Sequence, residues 1–393
     1  MDIQQEIAQI FDQIVSWRRH LHANPELSFQ EKETSSFIAS LLTEWGIEYS
    51  SCFGGYSLVA TLKGQRPGNK CIALRADIDA LPIQEENDVD YRSKQSGIMH
   101  ACGHDVHTAN LLGVLAIMKE QTAEFGGTIK FIFQHAEEKL PGGASIMIEK
   151  GVLENPKVDE IYGLHVFPEL EVGKVGFRSG MYMASCDELY FTVKGKGGHG
   201  AMPHKVIDPI QISAQIIQGL QTVNSRRYDP AIPSVVSIGR IEGMGATNVI
   251  PDEVKMQGTF RTLDEEWRKM GHRFIQEIAQ GIAKSNGGDC EVEIIKGYPY
   301  LENHEGITDE AKRTAISLLG EDRVVDLPIR LTGEDFAFYS HKIPACFFRL
   351  GVRNESKGII HGVHNSRFDV DEACFQTGVL VMSGILLSRL AQI

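Results

Sequence analysis

The order of elements through the middle of the chain does most to limit its fold. Apolar alternation marks strands over Glu188–Lys194, Val235–Ile241, Glu253–Thr262 and Glu291–Ile295, while helical spacing marks Pro209–Val223 and Glu265–Ser285. That order, βαββαβ, is the split arrangement of a small ferredoxin-like domain. Before it, the chain alternates helix and strand. Gln5–His22 has helical spacing and is closed by Asn24-Pro25, and Glu31–Trp45 continues as a second helix. Strands follow at Ser57–Leu62 and Cys71–Leu74, then a helix at Thr108–Lys119 and strands at Thr128–Phe133 and Ile161–Val166. Such alternation implies an α/β sheet with helices on both faces. After the insert, the strand Cys346–Leu350 resumes it. The expected architecture is therefore a mixed-sheet α/β domain built from residues 1–186 and 303–393, interrupted by an α+β domain at 187–302. A chain of 393 residues is long enough for two cores.

Several function classes are disfavoured at once. The formal charge of −13 is scattered, whereas nucleic acid requires a basic surface. No apolar run approaches the ~20 residues of a membrane helix. The start, MDIQQEIAQIF, has no basic segment followed by an apolar core, so a cytoplasmic location is expected. The seven cysteines are odd in number and never spaced Cys-x-x-Cys, which argues against a disulfide framework. Most should be reduced core thiols, with Cys102 the exception.

Cys102 belongs to the densest cluster of chemistry in the chain, MHACGHDVH at residues 99–107, with His100, His104, Asp105 and His107 around Gly103. Thiolate, imidazole and carboxylate are the ligands that divalent transition metals prefer. If the stretch is extended, a Cys-x-His step projects both side chains to one side. A second segment, FIFQHAEE, ends an apolar strand in adjacent acids, Glu137 and Glu138. Two such carboxylates are hard to bury charged without a cation. In a metal hydrolase one can bind metal while the other moves protons. His165 ends the run IYGLHVFP, and His361 and His364 precede the last helix; spacing does not choose between these two. Asp77 and Asp79 follow a strand in RADIDALP, where a carboxylate could orient a ligating imidazole.

These segments resemble, in order, those of the aminoacylase and hippurate-hydrolase branch of the dinuclear metallo-carboxypeptidase superfamily. Bacterial N-acyl-amino-acid amidohydrolases and plant auxin-conjugate hydrolases belong to that branch. RRHLHANPELSFQE, RADIDALP, MHACGHD, Ala136-Glu137-Glu138, GLHVFP, GKGGHGAMPH, NVIPDEV, GTFRT, GEDF and HNSRFDVDE carry the likeness across essentially the whole chain. The resemblance implies metal ligands Cys102, His104, Glu138, His165 and His364, a general base Glu137, and a supporting Asp77. It implies that His199 polarises the scissile carbonyl from a partner subunit, that Asn248 and Arg261 hold the substrate, and that Gly333 lines its pocket. Two divalent ions per subunit follow, zinc first, with manganese, cobalt or nickel as alternatives. The implied activity is hydrolysis of N-acyl amino acids by a homodimer. Rivals are a dipeptidase, an N-acetyl-diaminopimelate-type deacetylase and, in another class, a non-catalytic metal-binding protein. The chain departs from the pattern at His135, where proline is common, and at Gly200, where alanine is common. Arg75 stands where many members of the wider superfamily carry a ligating histidine.

Overall fold

A computed structural model describes residues 3–390. The chain opens with α1 (Ile3–Ala23), α2 (Lys32–Glu44), β1 (Tyr49–Ser50), β2 (Leu58–Lys63) and β3 (Arg66–Asp77). It continues through α3 (His104–Glu120), β4 (Gly126–Gln134), α4 (Gly143–Glu149), β5 (Glu160–Glu171), β6 (Val175–Phe177) and β7 (Gly180–Met183). The middle holds β8 (Asp187–Lys194), β9 (Gly198–His199), α5 (Pro209–Thr222), β10 (Ser234–Glu242), β11 (Val249–Ile250), β12 (Glu253–Thr262), α6 (Glu265–Ser285) and β13 (Asp289–Lys296). The remainder is β14 (Leu301–Asn303), α7 (Glu305–Leu319), β15 (Val324–Asp326), α8 (Ala337–Ser340), β16 (Ala345–Arg353) and α9 (Cys374–Leu390). No helix among the described residues is long and apolar enough to cross a membrane.

Two compact units share these elements. The larger takes the chain up to Gly180, then Glu302–Pro328 and the residues from Asp335 onward. Its sheet runs β1-β2-β4-β3-β5-β16-β6-β15, and the central β4, β3, β5 and β16 are mutually parallel. Parallel strands buried on both faces need apolar residues at successive positions, and β16 supplies them. Phe348 stacks on Phe177 in the core shared with α1, α3, α7 and α9. Its neighbour Phe347 points the other way and stacks on Phe336, just ahead of α8. Helices α3 and α9 are buried on nearly every side. The expected helix at Thr108 starts earlier, at His104, and β3 begins before its apolar stretch. The short strands β6 and β15 and the helix α7 add elements that the sequence pattern had not marked.

The smaller unit comprises Met181–Leu301 and Ile329–Glu334. Its antiparallel sheet, in the order β10-β12-β8-β13, places the four strands as a ferredoxin-like fold requires. Residues alternate along β8, so Leu189, Phe191 and Val193 turn inward onto α5 and α6. Asp208 and Asp264 start those helices by accepting amide protons of the first turn. Ile329–Glu334 rejoins the unit through backbone bonds from Arg330 to Tyr182 and from Ala184 to Thr332. A return so short leaves no periodicity to read. At the start of β8, the buried Asp187 accepts from Arg268 Nε (2.9 Å) and Gly297 N (3.0 Å) and also meets His272.

Candidate metal centre

The chemistry-bearing residues of the larger unit gather at the carboxyl ends of its parallel strands, where α/β sheets hold their ligands. β3 delivers Asp77 and Asp79, β4 ends just before Glu137 and Glu138, and β5 carries His165. Between Cys102 and His104 the chain turns at Gly103, with φ 82°. A Cβ there would lie 2.5 Å from Val166 Cγ2, so glycine meets both the backbone and the space requirement. His104 thus opens α3, so the turn at Gly103, and no extended Cys-x-His step, sets how the two side chains project.

The potential ligand atoms of Cys102, His104 and His165 lie within 4.8 Å of one another, as do those of Cys102, Glu138 and His364 and those of His104, Glu137 and Glu138. Cys102 Sγ is 3.4 Å from His165 Nε2, and His364 Nε2 is 3.3 Å from Glu138 Oε1. His165 donates Nδ1–H to Val166 O (2.8 Å), which leaves Nε2 for the centre. His364 has φ 62° and donates its backbone N–H to Ala101 O. Its side chain is 52% exposed, which sets it at the solvent side of an otherwise buried group.

A layer of polar contacts orients these side chains. His104 Nδ1 lies 3.1 Å from Asp79 Oδ1, while Asp79 Oδ2 accepts from Ser28 Oγ (2.7 Å) and Glu138 N (3.0 Å). Asp77 meets Arg75 Nη1 (2.6 Å) and His107 Nδ1 (2.5 Å). The carboxylate hydrogen-bonded to His104 is therefore Asp79, and Asp77 serves the neighbouring ring. His107 Nε2 accepts from Val166 N, so both its nitrogens are occupied within the protein. Asp105 turns to α1, accepting from Arg18 Nε (2.8 Å) beside His22. His100, His135 and His361 fall outside the ligand groups. His135 is buried, with Nδ1 2.5 Å from Ser57 Oγ. Arg75 also donates to Asp335 Oδ1 (2.7 Å), and Asp335 N donates to Glu137 Oε1 (3.3 Å).

Burial works against the imidazolium of His104, but Asp77, Asp79 and Glu138 together raise it to about 10. Burial pushes the Cys102 thiol well up, and Glu138, Glu137 and Asp77 push it further. Burial followed by Arg349 holds His165 well below the usual imidazole range. His104 Nε2 and Glu138 Oε1 are buried with no hydrogen bond among the described residues; they lie 3.9 Å apart, and the His364 ring is in ion-pair range of the latter. Crowded anionic groups and two buried donor atoms without a hydrogen bond are what a cation would satisfy, and the mixture of thiol, imidazole and carboxylate fits divalent transition ions. The residues present fit a metal site.

Four further candidates lie in the smaller unit. His199 is exposed on β9, which pairs with β11, and its Nδ1 accepts from Ala201 N (3.1 Å). Asn248 is exposed beside it, and its carbonyl accepts from Gly200 N. Arg261 donates through Nε to Thr259 Oγ1 (3.0 Å) and through Nη1 to Cys186 Sγ (2.6 Å). A Cβ on Gly333 would fall 1.7 Å from Cys186 Sγ and 3.3 Å from Arg261 Nη1, so these three residues are packed together. The sequence pattern offers either Asp77 or Asp79 to orient a ligating imidazole, and the contact with His104 falls to Asp79; the parts played by Ser28 and Cys186 depend on contacts made by folding and leave no spacing to read.

The sequence pattern of Peptidase family M20/M25/M40 matches residues 73–388. The chain is 44% identical to the N-acyl-L-amino acid amidohydrolase of Geobacillus stearothermophilus over 306 residues, covering 78% of this chain and 82% of that one. It is 40% identical over 381 residues to thermostable carboxypeptidase 2 of Saccharolobus solfataricus, covering 96% and 95%. Among solved structures, a dinuclear metal-binding peptidase of the M20 family from Bacillus subtilis superposes with a TM-score of 0.84 at 36% identity, covering 98% of this chain and all of that one.

Proposed function

Since the chain belongs to Peptidase family M20/M25/M40 and is a metallo-amidohydrolase, we propose that it hydrolyses the amide bond of N-acyl amino acids, releasing a carboxylic acid and a free amino acid. The observation that carries this reading is the convergence of Cys102, His104, Glu138, His165 and His364, a group whose His104 Nε2 and Glu138 Oε1 are buried without a hydrogen bond among the described residues, with Glu137 alongside. These five side chains would hold two divalent ions, zinc first, with manganese, cobalt or nickel as alternatives. When bound, such a pair supplies Lewis-acid activation of water and of the carbonyl. Glu137 takes a proton from the attacking water and passes it to the departing nitrogen. The Asp335 amide fixes one of its oxygens, and Asp79 holds the His104 ring and the Glu138 backbone in place.

Substrate recognition falls to the smaller unit. A guanidinium fork matches a carboxylate, so Arg261 takes the free carboxylate of the amino-acid half, with Asn248 and Gly333 lining its surroundings. In a cytoplasmic homodimer, His199 of one copy donates to the carbonyl oxygen in the other copy's cleft. The similarity to a carboxypeptidase favours one second reading, a peptidase acting on dipeptides. A panel of N-acetyl and N-benzoyl amino acids beside matched dipeptides tests both. Acylated amino acids should turn over at least about tenfold faster, chelator should abolish the activity, and divalent metal should restore it. Full activity after verified metal depletion would sink the central reading, and faster dipeptide cleavage would transfer it to the peptidase.

A further inference from the structure

The opening motif ends in Glu31, which has no part in the mechanism above. It is fully buried and stands at the N-cap position of α2, yet its side chain makes no hydrogen bond to that helix. Its Oε1 instead accepts two backbone amide protons, from Phe29 (3.0 Å) and from Ala136 (2.8 Å). Both donors have left-handed backbone, φ 67° at Phe29 and φ 49° at Ala136, a conformation that side chains with a Cβ disfavour.

Ala136 immediately precedes Glu137 and Glu138. The turn around it is tied down group by group: His135 N donates to Ser57 Oγ (3.2 Å), Gly143 N to Ala136 O (2.9 Å) and Glu138 N to Asp79 Oδ2 (3.0 Å). The Ala136 N–H is buried, and Glu31 is its acceptor. Without that acceptor the amide is left unsatisfied, and the turn gains a reason to leave its disfavoured conformation. Any such relaxation redirects the two residues that follow.

We propose that Glu31 is a positioning residue for the Glu137–Glu138 pair, holding Ala136 in the left-handed turn that presents both carboxylates. The inference rests on the roles proposed for those acids.

Reach and charge can be separated experimentally. Glu31→Gln keeps the acceptor oxygen at the same distance and loses the charge, whereas Glu31→Asp keeps the charge and shortens the reach. At saturating metal, the Gln variant should keep kcat within about threefold of wild type, and the Asp variant should lose at least about tenfold with KM little changed. Chelator competition should find metal held at least about tenfold more weakly in the Asp variant, because Glu138 shifts with Glu137. Adding Ala136→Gly to Glu31→Asp should return part of the lost kcat, since glycine accepts positive φ without a penalty. A Gln variant as impaired as the Asp variant, or an Asp variant with wild-type kcat and metal affinity, overturns the proposal. Glu137→Gln and Glu138→Gln are run beside them. If those variants stay active and metal-replete, the reading of the acids itself fails; wild-type behaviour of Glu31→Asp beside an inactive Glu137→Gln removes the Glu31 inference alone.

Discussion

Around the start of α3, each ligand candidate but His364 is buried or nearly so, and the two buried imidazoles, like Asp105 beside them, are held from behind. His104 has Asp79, Asp79 has Ser28, His165 has the Val166 carbonyl and Asp105 has Arg18. At the β9–β11 ribbon of the smaller unit, whose strands have two residues each, His199 stands exposed on β9 and Asn248 exposed just before β11. The first region is organised before any substrate arrives, as metal ligation and proton transfer demand. The second resembles a surface that gains its order when something binds. Substitutions in the first should divide between loss of metal and loss of chemistry according to the residue's role, and those in the second should disturb chemistry without touching the fold.

The largest effect expected lies within the buried group. Glu137→Gln should lower kcat by at least about a thousandfold while metal content stays near normal, because a base needs a titratable oxygen and a ligand needs a charged donor. Glu138→Gln should instead lose metal, measured by elemental analysis of purified protein. Equal metal loss in both variants would erase the division between base and ligand.

On the ribbon, His199→Ala should cost about a hundredfold in kcat, as expected for one oxyanion donor. Its melting temperature should not move, which calorimetry can check; a clear drop would mean that the ribbon is structural. Mixed with Glu137→Gln subunits under exchange, it should recover roughly a quarter of the wild-type rate if the site is shared across a two-fold axis. No recovery in confirmed mixed dimers would retire the shared site.

The smallest effect expected lies away from the ribbon, at the opposite end of β8, which Asp187 opens. Burial opposes the Asp187 carboxylate, but Arg268 and His272 outweigh it and lower its pKa from 3.8 to about 2. The stability this contributes is complete above the unfolded value and disappears as pH falls through the folded one. The gap between wild type and Asp187→Asn in denaturant unfolding should therefore shrink by about 2 kcal/mol between pH 4 and pH 2. A gap that stays constant would show that the carboxylate contributes shape and no charge.

Much of this architecture was legible in the pattern of residues. The boundaries of α6 and β12 coincide with the periodicity that marks them, since one apolar face or one alternation defines each. Strand order in the smaller unit followed from element order. The three-residue strands β6 and β15 are too short to carry a period. Near the candidate metal centre, spacing marked segments that the fold brings together and left the allocation within them open. His107 and His104 are one helical turn apart, and only the partners on their rings set one aside as satisfied. The same holds for Asp77 and Asp79, whose contacts reach residues distant in sequence.

The place of β16 between β5 and β6 has a consequence for how the protein is made. On the ribosome, β5 emerges with His165 and then waits while the whole smaller unit is synthesised before the strand that flanks it appears. At ordinary elongation rates that wait is roughly ten to thirty seconds, far longer than the smaller unit needs to collapse. Over that interval β5 has an open edge, the kind of surface that nascent-chain chaperones cover and that neighbouring polysomes can trap. Yield of active protein should therefore respond to expression temperature and chaperone supply more than the stability of the finished molecule would suggest.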